Sequence, residues 1–127
     1  MGNSIATSIG QAAEDLACHY LQDQGLHLIE RNYRCQRGEI DLVMRDISSM
    51  VFVEVRYRRN NRFGSGAESV NRYKQAKLIA TALHYLQSHK AAAKSPARFD
   101  VVSVTLPGEA AHTPEIQWIK NAFDASP

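Results

Sequence analysis

Two short stretches of this sequence hold the residue types that could do chemistry. Gly38-Glu39-Ile40-Asp41-Leu42-Val43-Met44 and Val51 to Arg58 both read as β-strands. Strand alternation places Ile40, Leu42 and Met44 on one face of the first, with Glu39 and Asp41 on the other. In the second, Val51, Val53, Val55 and Tyr57 oppose Phe52, Glu54, Arg56 and Arg58. A hairpin turning at Asp46-Ile47-Ser48-Ser49, with Asp46 paired to Ser49, sets Asp41 directly across from Glu54 on one face. Opposed Cβ atoms lie about 5 Å apart there. A slip of one residue would set Asp41 against a valine and mix the faces, so the patterning favours this register. Two ionised carboxylates so close repel, and they call for a cation or a shared proton. Hard oxygen ligands suit Mg²⁺ or Mn²⁺, which take one or two carboxylates with waters and a substrate phosphate. Such an ion polarises a phosphoryl group and supplies a nucleophile near neutral pH. The plainer alternative has Glu54 pairing with Arg56 or Arg37 on a solvated sheet face.

Cations gather beside these strands. Arg56, Arg58, Arg59 and Arg62 fall within seven residues, interrupted by Tyr57, Asn60 and Asn61. This patch could track a phosphate backbone, or be a solvated strand end and loop. Lys74 and Lys77 stand three apart on a downstream helix, where they could reach the carboxylate face or merely snorkel. Lys74 is the preferred candidate; Gln75 beside it could meet substrate or solvent. The five histidines, His19, His27, His84, His89 and His112, show no ligand spacing. There is no glycine-rich phosphate loop and no nucleophile elbow, which removes support for kinase, NTPase and serine-hydrolase readings.

The elements that must position these groups follow from periodicity. From about Thr7 to Gln24, Ala13, Leu16, Ala17, Tyr20 and Leu21 recur at helical spacing, and Gly25 supplies the stop. Leu26–Arg34, Gly38–Met44 and Met50–Arg58 are expected strands, and Arg59–Gly66 a loop. Val70, Tyr73, Ala76, Ile79, Ala80, Leu83 and Leu86 trace one face of a long helix. Ser65 with Glu68 could form its capping box, with Ser69 as a competing cap. A linker through Lys94–Pro96 leads to the strand Arg98–Leu106, a turn over Pro107–Pro114 and a short strand Glu115–Lys120. The order α-β-β-β-α-β-β predicts an α/β fold, a mixed β-sheet flanked by helices.

Composition is consistent with that. The 127 residues are 44% hydrophobic and 22% charged with net charge +2, an ordinary globular balance and the usual size of one domain over 1–127. Bulk charge alone does not announce a nucleic-acid partner. No apolar run approaches the roughly 20 residues of a membrane span, and Met1 to Gly10 lacks the pattern of a secretory signal. A cytoplasmic location without membrane association is therefore expected. Cys18 and Cys35 are too few for a disulfide scaffold and are read as reduced thiols.

Gly38-Glu39-Ile40-Asp41-Leu42-Val43 and Val51-Phe52-Val53-Glu54-Val55-Arg56 resemble the core of the YraN family of small bacterial proteins. The Ala13-Glu14 helix, Arg31-Asn32-Tyr33 and Arg98-Phe99-Asp100-Val101 extend the resemblance over nearly the whole chain. That family is grouped with the Asp…Glu-x-Lys nucleases, which include Holliday-junction resolvases and restriction enzymes. The resemblance implies a restriction-endonuclease-like fold and a metal-dependent nuclease acting on DNA, on branched or single-stranded forms. By it, Asp41 and Glu54 match the metal-binding acids, and Glu14 resembles the extra acid that resolvase-like members set beside the metal; otherwise Glu14 is a helix-surface charge. Glu39 could support the metal's outer shell or face solvent. The superfamily lysine falls at Arg56, whose guanidinium can hold a phosphate but cannot serve as a base. Either the metal suffices, or another lysine such as Lys74 substitutes, or catalysis is lost. Arg56, Arg58, Arg59 and Arg62 would hold the nucleic-acid backbone. The rival readings are a non-catalytic nucleic-acid-binding module and a protein-interaction subunit of a DNA-processing complex. A homodimer is expected by analogy only.

Overall fold

In the computed structural model the described residues are 5–58, 70–105 and 113–124, with side chains described from residue 9 onward. The expected element order is present: α1 (Ile5–Asp23), β1 (His27–Cys35), β2 (Gly38–Arg45), β3 (Met50–Arg58), α2 (Arg72–Ser88), β4 (Ala97–Thr105) and β5 (Glu115–Phe123). The strands form one sheet in the order β1-β2-β3-β4-β5. All neighbours are antiparallel except β3 and β4, which run parallel. A parallel pair needs a crossover, and α2 supplies it.

That crossover explains why β3 is apolar on both sides. Met50 and Phe52 bury against α2 with Ile40, Val43, Phe99 and Val101, where Leu78, Ala82 and Tyr85 meet them. Val51 and Val53 bury on the other face with Leu42, Met44, Val102 and Val104, under Ala13, Ala17, Cys18 and Leu21 of α1. A strand covered on both faces reads as a continuous apolar run rather than an alternating one.

The hairpin register is the expected one. Arg45 pairs with Met50, Met44 with Val51, Val43 with Phe52 and Leu42 with Val53. Asp46 N–H donates to the Ser49 carbonyl at 3.0 Å. The Asp46 carboxylate accepts from Ser48 N and Ser49 N at 2.9 and 2.6 Å, fixing the turn. The face assignment of β2 needs correction, however. Ile40 joins the α2 side, whereas Leu42 and Met44 join the α1 side. On β1 the partners of Ile40 and Leu42 are Tyr33 and Arg31, and the residue between these two, Asn32, has φ 55. A left-handed residue inside a strand breaks the alternation, and asparagine tolerates that conformation better than most.

Helix α1 ends as glycine predicts. Gly25, at φ 100, donates to the Gln22 carbonyl at 3.0 Å, and Leu26 N–H donates to the Leu21 carbonyl at 3.0 Å. This is the Schellman closure, which a left-handed residue permits. Helix α2 differs from expectation in two ways. Its cap is Asn71, whose side chain accepts from Lys74 N at 2.9 Å; Ser65, Glu68 and Ser69 lie outside the described residues, as does the Arg59–Gly66 segment. Its buried face is Leu78, Thr81, Ala82 and Tyr85, leaving Tyr73 and Leu83 exposed. The expected stripe was out of phase because Thr81 is a core residue here: its hydroxyl donates to the Lys77 carbonyl at 2.7 Å, so it is buried without an orphaned oxygen. The final strand runs three residues past the expected Lys120, to Phe123. Asn121, at φ 51, makes a bulge there and donates its N–H to buried Asp100. Arg98 and Trp118 Nε1 complete the Asp100 shell, so this carboxylate is structural.

Gly38 opens β2 against α2. At φ 153 its position is strained for any other residue, and a Cβ there would stand 2.9 Å from Thr81 Oγ1, itself tethered to Lys77. Replacing Gly38 with Ala is expected to cost about 1–3 kcal/mol in urea denaturation, as overpacking does. Thr81→Ala in that background should recover part of the loss, a non-additivity expected of groups in contact.

Candidate active site

The register that joins β2 to β3 continues only as far as Leu42 and Val53. Beyond it Asp41 Oδ2 accepts from Val55 N at 2.8 Å, so a side chain takes an N–H that β3 turns toward β2. Asp41 and Glu54 face the same cavity, about 530 Å³ in volume, between the sheet and the two helices. Glu14 of α1, Glu39, Arg56, Lys74 and Lys77 also line it.

Glu54 is only 6% exposed. Lys74 Nζ stands 2.6 Å from its Oε2, and Arg56 Nη1 3.6 Å from the same oxygen. The rotation of α2 accounts for the first contact. Lys74 lies one turn before buried Leu78 on the helix, so the packing that seats Leu78 aims Lys74 toward the sheet. Glu54 does pair with Arg56, as the plainer sequence reading had it, but in a buried pocket rather than on a solvated face. Among the described residues no cation pairs with Asp41 in this way. Burial pushes its pKa up to about 8, helped by the charge of Glu54, its hydrogen bond with Glu54 and the charge of Glu14; the Val55 N–H opposes the rise. Asp41 is thus the acid whose charged form this pocket disfavours, with burial the largest cause and the nearby Glu54 charge adding to it.

The remaining candidates are placed as follows. Glu14 reaches the cavity wall, where Arg31 Nη2 lies 3.4 Å from its Oε1. Among the described residues no three carboxylate, histidine or cysteine side chains close on a common metal position. A divalent cation would accordingly rest on Asp41 and Glu54, its other positions being left to water and phosphate, as Mg²⁺ tolerates. Glu39 accepts from Arg34 Nε at 2.7 Å. Gln75 is half-buried, and its Nε2 donates to the Val70 carbonyl at 2.9 Å. Arg58 closes β3, while Arg59 and Arg62 lie outside the described residues. Both cysteines are free, and Cys18 is buried. No helix among the described residues is long and apolar enough to cross a membrane. Sequence reading missed Arg31, which braces Glu14 and Asp15, and gave Gly38 and the rim residue Tyr73 no part in the cavity. No period-two signal announces the left-handed Asn32 beside Arg31.

The mixed sheet with a helix on each face has the element order of the restriction-endonuclease-like class. The chain belongs to UPF0102, an uncharacterised protein family that is also the YraN family, whose model matches residues 13–104. It is 54% identical over 114 residues to a UPF0102 protein of Nitrosococcus oceani, covering 90% of each chain. It is 51% identical over 122 residues to one of Stutzerimonas stutzeri, covering 96% of this chain and 99% of that one. A UPF0102 protein of Coxiella burnetii is 48% identical over 121 residues, with 95% and 96% covered. Among solved structures, Pyrococcus furiosus SfsA in complex with Ca²⁺ aligns with TM-score 0.37 and 14% identity, over 91% of this chain and 63% of that one. The chain thus spans under two thirds of the SfsA chain, and so distant a likeness carries no functional argument.

The raised Asp41 pKa has a consequence for stability. In the unfolded chain this carboxyl ionises near 3.8, in the folded one near 8. Between those values the folded state holds a proton that the unfolded state has released, so stability falls as pH rises through the window. Well below the unfolded value of 3.8, by about pH 3, both states are protonated and the penalty vanishes. Asp41→Asn keeps an acceptor for Val55 N–H and removes the ionisation. In chelator at pH 8–9 it is expected to raise the melting temperature by on the order of 5 °C, as about 1 kcal/mol does in a domain of this size. The difference should shrink steadily toward about pH 3; a constant difference across that range would refute the assignment.

Proposed function

We infer that this chain is a divalent-metal-dependent nucleic-acid phosphodiesterase, with DNA as its substrate. The observation that carries the reading is the pairing of Asp41 and Glu54 in one cavity with cations beside them. A protein pushes two buried carboxylates together at a cost in stability, and a divalent ion relieves that cost. Mg²⁺ or Mn²⁺ fits the hard oxygen donors, and when bound it would polarise the phosphoryl group and supply the nucleophile.

The chain's own residues do the rest. Asp41 would hold the ion as a carboxylate, so affinity would rise with pH. Glu54 orients Lys74 and Arg56 at the cavity wall. The Arg56 guanidinium holds a phosphate oxygen and stabilises the charge that builds on it, but cannot take a proton from water. Lys74, at 2.6 Å from Glu54, occupies the place from which an ammonium can orient the attacking water or stabilise the transition state. Glu14, braced by Arg31, adds negative charge on the metal side of the cavity. Arg58, Arg59 and Arg62 would hold the backbone without reading sequence. Arg56 at the family lysine's position favours a second reading, in which the fold binds nucleic acid without cutting it. That reading requires salt-sensitive binding that persists in chelator.

Both readings are separated by a panel of labelled duplex, single-stranded, flap and four-way-junction DNA, with RNA alongside, in Mg²⁺, Mn²⁺ and chelator. Asp41→Ala and Glu54→Ala are each expected to abolish metal-dependent cleavage while circular dichroism stays unchanged. Lys74→Met should lower the rate roughly 10²–10³-fold, the usual cost of losing one charge-stabilising donor. Arg56→Lys should retain activity. Cleavage that survives both carboxylate changes would remove this assignment, and binding without cleavage in every metal would establish the second reading.

A further inference from the structure

Tyr73 is the large aromatic side chain that the phase of α2 turns outward. It is 76% exposed in the first turn of the helix, yet it lines the same cavity as Asp41 and Glu54. Its neighbours are cationic. Lys74, the next residue, holds Glu54, and Lys77 places its Nζ 5.8 Å from the centre of the Tyr73 ring. Tyr57, at the end of β3 and 41% exposed, lines the cavity as well. An exposed ring with a cation over one face, beside a cavity whose lining carries Arg56, Lys74 and Lys77 as well as the carboxylates, fits one ligand chemistry: a base joined to a phosphate. Bases in a continuous duplex are stacked on one another and cannot reach a ring beside the backbone, whereas an unpaired base can. Base–aromatic stacking tolerates any sequence, because every base has a π-face.

We propose that Tyr73 is a stacking platform for an unpaired base next to the phosphate held in the Asp41–Glu54 cavity, so that the site takes single-stranded DNA. This deepens the phosphodiesterase reading and rests on it for the choice of phosphate. Tyr73 positions substrate and plays no part in the proton transfers. Lys77 keeps one face of the ring occupied, and the base takes the other.

The test uses the full chain in chelator, with a short single-stranded DNA carrying one 2-aminopurine and with the duplex of the same sequence. Wild type is expected to bind the single strand and quench the probe. Tyr73→Phe should behave alike, since it keeps the ring. Tyr73→Leu should weaken single-strand binding roughly 10- to 100-fold, the range for losing one base–aromatic stack, and leave duplex binding within about two-fold. The ring is exposed, so the change does not threaten the core; an unchanged melting temperature checks this. Equal weakening of both DNAs, no weakening at all, or no single-strand binding by wild type would overturn the proposal. Cleavage in Mg²⁺ separates the two readings. Stacking without any cutting removes the nuclease and keeps the platform, whereas duplex cutting unaffected by Tyr73→Leu does the reverse.

Discussion

The structure turns on an electrostatic conflict placed where two strands stop pairing. Where Leu42–Arg45 pair with Met50–Val53 the backbone groups satisfy one another, and all these side chains but Arg45 are apolar and buried. At Asp41 that arrangement ends, and a carboxylate accepts the Val55 N–H. Glu54 beside it is almost as buried as the valines that precede it. Burial and the Glu54 charge together push the Asp41 carboxyl well above its ordinary range. The rest of the molecule reads as the means of holding that conflict in place.

Three constraints do the holding. Central strand β3 is buried on both faces, so its register against β2 and β4 cannot slip without exposing apolar side chains on one helix or the other. The left-handed Asn32 reverses the side-chain alternation beside Asp41, letting Ile40 face α2 while Leu42 faces α1. Gly38 brings the start of β2 close to α2, where no Cβ would fit against Thr81. The last contact matters for the site because Thr81 bonds to Lys77 and sits one turn beyond it, and Lys77 and Lys74 share the cavity. A packing requirement in the core therefore fixes where the lysines stand.

Much of this was legible in the residues. The register of the hairpin could be read because an apolar run opposite another apolar run leaves one consistent parity, and the Asp46 turn chemistry agrees with it. Gly25 announced the end of α1 through a conformation that glycine alone adopts freely. The cavity's acids and Lys74 were legible for the same reason, since they flank apolar positions. What was not legible involves residues whose role depends on a tertiary partner. Thr81 looks polar and is a core residue because a backbone carbonyl one turn back satisfies it. Counting Tyr73 and Leu83 as apolar shifted the expected face of α2 away from Leu78 and Tyr85. The left-handed residue Asn32 and the bulge at Asn121 are single-residue events, which period-two patterning cannot register. Asp100 looks like a third strand acid, yet Arg98, Trp118 and Asn121 satisfy it away from the cavity.

The exchange of lysine for arginine at position 56 can be weighed on geometry. Guanidinium and ammonium both neutralise Glu54, but the closer of the two cations is Lys74, at 2.6 Å against 3.6 Å for Arg56. Arg56 from β3 and Lys74 from α2 approach the same carboxylate oxygen from the same cavity. What differs is the freedom of the group. Lys74 comes from the first turn of a helix whose face is set by Leu78 and Thr81, and its position thus follows from core packing rather than from the strand. On the proposed function, that ammonium would leave Arg56 to grip phosphate, for which a planar fork of donors is better suited than a point charge. Under that reading an arginine there would be a division of labour between two cations rather than the loss of one.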